Sequence, residues 1–296
     1  MSSPMIRTVI ALPALLMLAG AAKPVGPMVV RGDGLMDLVV GGKAARIRIT
    51  PWAPAAPTLN PDFAQSIGLK GGLFGFAVKV GPVKVGGKTS VTRFDFGTMT
   101  FRRRVVWFDR RYEAQGDGAM GPGGLPAAVI RFELRPAQPG ERTANLPLVQ
   151  KMFQPTYSRV MVAGREISVL FDPQHARTLA TAGAGSALAA AYGGQLAGAT
   201  GKAEVAFGIE RPIRTLRLAR PFVIGPLSFD SVPVRIGDSG SVAGIADADA
   251  DPEEVVVTAK GGAKRRDVLI IGRDALARCS TIVFDKPAKA IRLSCA

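Results

Sequence analysis

Apolar residues recur at every second position over short stretches of this chain, and Gly or Pro closes most stretches within a few residues. Ala45, Ile47 and Ile49 alternate with Ala44, Arg46 and Arg48; Ile167, Val169 and Phe171 alternate with Glu166, Ser168 and Leu170. A period of two puts one set of side chains on one face of an extended segment, so each stretch predicts a strand with a buried face. The run FAVKVGPVKVGGKTSVTRFDF (76–96) reads the same way, as strand and turn. A helical pattern surfaces only briefly. Asn60-Pro61 is a cap and first-turn pair ahead of DFAQSI, closed by Gly68, and SALAAAYGG (186–194) is a second short helix ending at Gly193. The 35 Gly and 22 Pro lie between the apolar runs instead of in one tract. The fold class predicted is all-β with a few short helices.

The pattern also repeats. Val40-Gly41-Gly42-Lys43-Ala44-Ala45-Arg46-Ile47-Arg48-Ile49-Thr50-Pro51 aligns with Val162-Ala163-Gly164-Arg165-Glu166-Ile167-Ser168-Val169-Leu170-Phe171-Asp172-Pro173. Each is a strand, a tight turn with a basic residue, and a second strand that ends on a polar residue before Pro. GAMGPGGLP (118–126) similarly matches LIIGRDALA (269–277), and VIRFELRPA (129–137) matches TIVFDKPAK (281–289). The same parts therefore occur in the same order in 29–137 and 156–296, joined by a linker over 138–155 that contains QPGERTANLPLVQ. The second copy is longer: Thr50 to Gly121 is 71 residues, Asp172 to Gly272 is 100. Much of the excess is an acidic-then-basic stretch near 238–266, expected to be a mobile insertion. Its EEVVVTA segment looks like the short strand by which outer-membrane receptors engage an energy-transducing partner; an edge strand or loop is the preferred reading.

Composition changes this picture at the N-terminus. One Arg, the apolar run Val9–Leu18 and the small residues Ala19-Gly20-Ala21 make residues 1–21 a secretory signal peptide, too short to span a membrane. No Cys follows it to take a lipid, and no later stretch holds 18 apolar residues, so no transmembrane segment is expected in the mature chain. With 38 Lys and Arg against 23 Asp and Glu the net charge is +15. Export argues against nucleic acid as the partner, leaving an anionic envelope polymer or a generally basic surface. Two cysteines flank STIVFDKPAKAIRLS. In a hairpin turning at Lys286–Ala288, Cys279 and Cys295 are equidistant from Pro287 and face each other, so a disulfide stapling this hairpin is expected. One His and no free thiol leave no metal site, and no cofactor is expected.

These doubled parts resemble the aspartic-protease family, in its pepsin-like two-lobed form and its retroviral-like bacterial relatives. MDLVVGGKAARIRIT with LNPDFAQSIGL looks like the opening of a first lobe; DVLIIGRDALARCSTIVFDKPAKAIRL looks like the end of a second. The resemblance implies an all-β, two-lobed acid-protease fold with an interlobe cleft. In that family each lobe ends a strand on Asp-Thr-Gly. The two carboxylates, about 3 Å apart, cannot both ionise, so one acts as base toward water while the other is the acid. Carried over by position, this chain has Thr50-Pro51-Trp52-Ala53 in the first lobe and Asp172-Pro173-Gln174-His175 in the second. One Asp remains. Both Thr positions are Pro, both Gly positions are bulkier, and an Asp of ordinary acidity is a poor acid near neutral pH.

Other candidates are set against simpler readings. Asp62 belongs to the first turn of the short helix and Asp37 to a strand, so neither is expected to replace the missing acid. His175 is close to Asp172, but no GxSxG is present to complete a triad, and a turn histidine with a local hydrogen bond is preferred. GDGAMGPGGL lacks the Lys and spacing of a phosphate loop; a backbone-packing role is preferred. FRRRVVWFDRRY (101–112) interleaves arginines with aromatics and could hold an anionic or glycan partner, or simply be a solvated strand. The expectation for function is an exported pseudo-peptidase whose cleft, lined by Pro51, Trp52, Pro173, Gln174 and His175, binds a peptide or envelope-protein segment. It would sit in the periplasm or at the outer-membrane periphery of a Gram-negative bacterium. One alternative is an aspartic-type peptidase that uses Asp172 with a non-standard partner; another is a basic module that adheres to anionic envelope polymer.

Overall fold

The computed structural model describes residues 26–72, 75–237, 240–248 and 267–296. The signal-peptide reading and EEVVVTA lie outside these residues. The protein is mostly β. The strands of its first part are β1 (Met28–Arg31), β2 (Leu35–Val40), β3 (Lys43–Ile49), β4 (Thr58–Leu59), β5 (Phe76–Val80), β6 (Val83–Asp95), β7 (Thr100–Phe108), β8 (Gly118–Met120) and β9 (Val129–Glu133). Then come β10 (Arg142–Pro147), β11 (Ser158–Val162), β12 (Arg165–Phe171), β13 (Leu179–Ala180), β14 (Gly194–Ala206), β15 (Ile209–Ile224) and β16 (Leu227–Arg235). The series closes with β17 (Ala246–Asp247), β18 (Asp267–Ile271), β19 (Cys279–Asp285) and β20 (Ala290–Cys295). Three short helices interrupt it: α1 (Pro61–Ser66), α2 (Ala182–Tyr192) and α3 (Arg273–Leu276).

Two of the three sheets have the same plan. The first runs β2-β3-β8-β4-β7-β6-β5, the second β11-β12-β18-β13-β16-β15-β14, with β17 added at its edge. The directions match as well: β3–β8 and β12–β18 are parallel, β4–β8 and β13–β18 antiparallel, β4–β7 and β13–β16 parallel. The aligned turns Gly41-Gly42 and Ala163-Gly164 both take positive φ at both residues, as a two-residue hairpin requires. The third sheet, β1-β9-β19-β20-β10, draws on both copies. Here the matched segments pair with one another: Val129 faces Asp285, Glu133 faces Thr281, and Arg131 faces Val283 at the centre. Equivalent residues exchange partners about that centre, as two copies of one surface do across a twofold axis.

Several expectations are corrected. Helix α2 begins at Ala182 and not at 186, because Thr181 caps it by accepting from Ala184 N; Gly183 and Gly185 lie inside it. A Cβ at either would collide, with the Asp267 carboxylate or the Val234 side chain, so close approach outweighs glycine's poor helix propensity. Asn60 begins α1 without capping it by its side chain. The 138–155 stretch is not a bare connection: β10 pairs with β20 throughout, and Val149 bridges Tyr157. The C-terminal hairpin pairs Asp285 with Ala290, which is one position away from the symmetric register about Pro287. A bulge between Cys279 and Thr281 absorbs that shift and puts Cys279 opposite Cys295, and the disulfide between them is formed. Within 238–266 only 240–248 is described; Ala246–Asp247 pairs with β14, and Arg214 Nη2 donates to Asp247 Oδ1 at 2.6 Å. Among the described residues no helix is long and apolar enough to cross a membrane.

The main core runs through all three sheets, from Ile47, Ile49 and Met120 through Ile130 and Phe284 to Val169, Phe171 and Leu269. Ser168 and Leu170 are buried too, so β12 is covered on both faces where simple alternation predicts one. The ends of β3 and β12 are thus held in packed interior, and whatever follows them is held as well.

Candidate functional site

Strands β3 and β12 stop at corresponding points, and the turns after them share three hydrogen bonds. Thr50 N donates to Met120 O at 3.1 Å and Asp172 N to Ile271 O at 3.0 Å, each extending the ladder one residue past the strand. Ala53 N then donates to Thr50 O at 3.1 Å, and His175 N to Asp172 O at 3.2 Å. Trp52 N reaches Thr50 Oγ1 at 3.4 Å, and Gln174 N reaches Asp172 Oδ1 at 3.1 Å. The two turns meet. Thr50 Oγ1 donates to Asp172 Oδ1 at 2.9 Å, with Thr50 4% and Asp172 2% exposed.

Glycines explain why the turns sit so close to their supports. A Cβ on Gly121 would collide with the Ala53 carbonyl, and one on Gly272 with the backbone of Arg177. Gly121 belongs to the GAMGPGGL stretch, which packs backbone under the first turn; Gly272 does the same under the second.

Asp172 does not keep ordinary acidity. Burial pushes its carboxyl up, against the Thr50 hydroxyl, the Gln174 N–H and the positive charges of His175 and Arg48, which favour the carboxylate. A raised pKa keeps the proton on the carboxyl to higher pH, so more of it is available as a proton donor. No described carboxylate makes a hydrogen bond to it. Asp62 pairs with Arg111 at 2.8 Å, in the first turn of α1, and Asp37 lies on the surface 3.5 Å from Arg46. Glu113 is closer to the site but is held in a two-point pair by Arg48, Nε to Oε2 at 2.8 Å and Nη2 to Oε1 at 3.1 Å.

The rest of the wall divides between anticipated and unanticipated residues. The rings of Trp52 and His175, one from each turn, are 6.3 Å apart and tilted. His175 Nδ1 is 2.6 Å from Arg177 O, a bond local to its turn. Pro51 and Pro173 occupy the same place in both turns and offer no N–H. Gln174 Oε1 is buried without a hydrogen-bond partner. Sequence reasoning missed Tyr112, whose hydroxyl donates to Trp52 O at 3.4 Å; burial raises its pKa, and the charges of Asp172 and Glu113 raise it further. It also missed Asn60, fully buried, whose Oδ1 accepts from Tyr112 N and Glu113 N while Nδ2 donates to the carbonyls of Glu113 and Gly116. A polar residue between apolar Leu59 and a helix-starting Pro was the available signal, and capping was the wrong use for it.

Above the two turns is an apolar cluster separate from the main core. Val80 and Val85 come from the β5–β6 hairpin, Val205 and Ile209 from the β14–β15 hairpin, and Phe108 and Leu179 from the strands beneath. One apolar cluster thus draws side chains from hairpins of both sheets. The arginine run behaves differently. Arg102, Arg103 and Arg104 are exposed, but Trp107 and Phe108 are buried, so no aromatic surface alternates with the charges. Arg103 and Arg104 bond to Gly124 O and Thr89 Oγ1. Among the described residues no cluster of His, Cys, Asp and Glu could hold a metal. No family model and no curated protein matches the chain.

Proposed function

We propose that this is an exported, two-lobed protein of the aspartic-protease-like fold that does not hydrolyse peptides, and that its interlobe groove binds an extended peptide or a segment of an envelope protein. The observation that carries the reading is the Thr50–Asp172 hydrogen bond at 2.9 Å between two turns that share three hydrogen bonds at equivalent positions. Hydrolysis at such a site needs a base to take a proton from water and an acid to protonate the carbonyl oxygen. Asp172 can serve as the acid. Thr50 occupies the base's position with a hydroxyl that does not ionise near neutrality and is already donating to Asp172. An interlobe groove lined by Pro51, Trp52, Pro173, Gln174 and His175 would suit capture of an extended chain. Location in the periplasm or at the outer-membrane periphery of a Gram-negative bacterium follows from the signal-peptide reading and accords with the disulfide.

The test is a mixed peptide library incubated at acid pH with the wild-type protein and with Asp172→Ala. The expected result is no cleavage by either. Cleavage by the wild type that vanishes in Asp172→Ala would identify a peptidase with an unconventional partner for Asp172 and end the binding-only reading.

A further inference from the structure

Strand register sets like charges face to face on β6 and β7. Arg93 lies directly opposite Arg102, and two residues along the same face Arg104 is opposite Val91. Side chains paired this way are close neighbours, and like charges there destabilise a sheet. All three arginines are exposed. Arg104 Nη1 donates to Thr89 Oγ1 at 3.0 Å, and among the described residues no carboxylate forms an ion pair with any of the three. Asp95, the next residue of β6 on this face, is opposite Thr100 and accepts from Gly97 N at 2.8 Å. The second sheet supplies the comparison. The stacked pair Phe94 and Phe101 corresponds to the stacked pair Phe222 and Phe229 on the equivalent hairpin. Arg93 precedes Phe94 and Arg102 follows Phe101, whereas Pro221 precedes Phe222 and Asp230 follows Phe229. The cluster belongs to one copy, so the shared architecture does not require it. Two exposed valines flank it: Val91, and Val39, which β2 places opposite Asp95.

We propose that this face of β6 and β7 docks on an anionic lipid membrane, with Arg93, Arg102 and Arg104 on headgroup phosphates and Val39 and Val91 reaching below them. The proposal does not depend on the peptide reading. A guanidinium fork pairs with two phosphate oxygens at once, and a phosphate between facing guanidiniums turns one repulsion into two attractions. The charges stand side by side on a sheet face, which matches a plane of headgroups, whereas a small-molecule site is concave. The valines favour a lipid surface over a soluble polyanion, which has no apolar layer for them to enter. A net charge of +15 draws the whole protein toward such a surface, and the cluster fixes which face lands on it.

The test sediments the full chain with vesicles of phosphatidylcholine, alone or mixed with phosphatidylglycerol. The wild type is expected to prefer the anionic vesicles, and no preference overturns the proposal. Replacing Arg93, Arg102 and Arg104 together by Gln is expected to weaken that binding about a hundredfold, each arginine near the surface contributing roughly fivefold. Replacing Arg142, Lys151 and Lys202 by Gln removes the same charge from exposed positions elsewhere and is expected to weaken it far less. Equal losses for the two triple variants mean that overall charge alone is responsible and overturn the docking face. Val39→Ser with Val91→Ser is expected to weaken vesicle binding and to leave binding of dextran sulfate unchanged. Undiminished vesicle binding by that variant assigns the face to a soluble polyanion and overturns the membrane. Without lipid, Arg93→Gln is expected to raise the midpoint of thermal unfolding, because it relieves the facing pair. A lower midpoint marks the arginines as structural and overturns the proposal.

Discussion

Replacing Asp172 by Asn isolates what burying this carboxyl does to stability. In the unfolded chain its pKa is about 3.9, and in the folded protein burial raises it. Below the unfolded value both states carry the neutral acid, and burial has no ionic penalty. As pH rises past it the unfolded chain ionises first. Folding stability then falls by about 1.4 kcal/mol per pH unit until the folded pKa is passed, after which the loss is constant. Asn keeps the shape, its Oδ1 can accept from Thr50 Oγ1 and Gln174 N as Asp does, and its NH2 stands in for the acid's O–H. The assay is urea unfolding of both proteins between pH 3.5 and 8 at one ionic strength, taking mutant minus wild type so that other titrating groups cancel. The difference is expected to be near zero at pH 3.5 and to grow in favour of Asn by about 1.4 kcal/mol per unit before levelling. A flat difference, or a mutant less stable at neutral pH, would refute the argument and mean that Arg48 and His175 hold Asp172 ionised.

Two further outcomes probe the supports of the site. Gly121→Ala drives a methyl into the Ala53 carbonyl and is expected to cost about 3 kcal/mol, since backbone cannot step aside as a side chain can; thermal unfolding against Gly244→Ala, where a Cβ meets nothing and φ is not positive, measures it. Cys295→Ser opens a cross-link spanning 16 positions and is expected to cost about 3 kcal/mol in chemical unfolding, with reductant lowering the wild type equally and leaving the variant unchanged.

What the sequence by itself determined was set by local chemistry. Alternation at Ala45–Ile49 and Ile167–Phe171 defines strands because a pleated chain sorts side chains by parity, and the equal spacing from Gly42 to Thr50 and from Gly164 to Asp172 places both polar residues just past equivalent strand ends. A hairpin whose turn residues are visible brings Cys279 and Cys295 to within one position of facing each other. What only the tertiary structure decided was set by contacts between segments far apart in the chain. The bulge at Ser280 corrects a register that the turn alone leaves one residue out. Asn60 gives its side chain to the 112–116 loop because four backbone groups there need partners, and no local rule competes with that. The raised pKa of Asp172 arises from burial where the two turns meet. A residue's spacing shows where the chain will turn; only the packed neighbours settle its charge and its company.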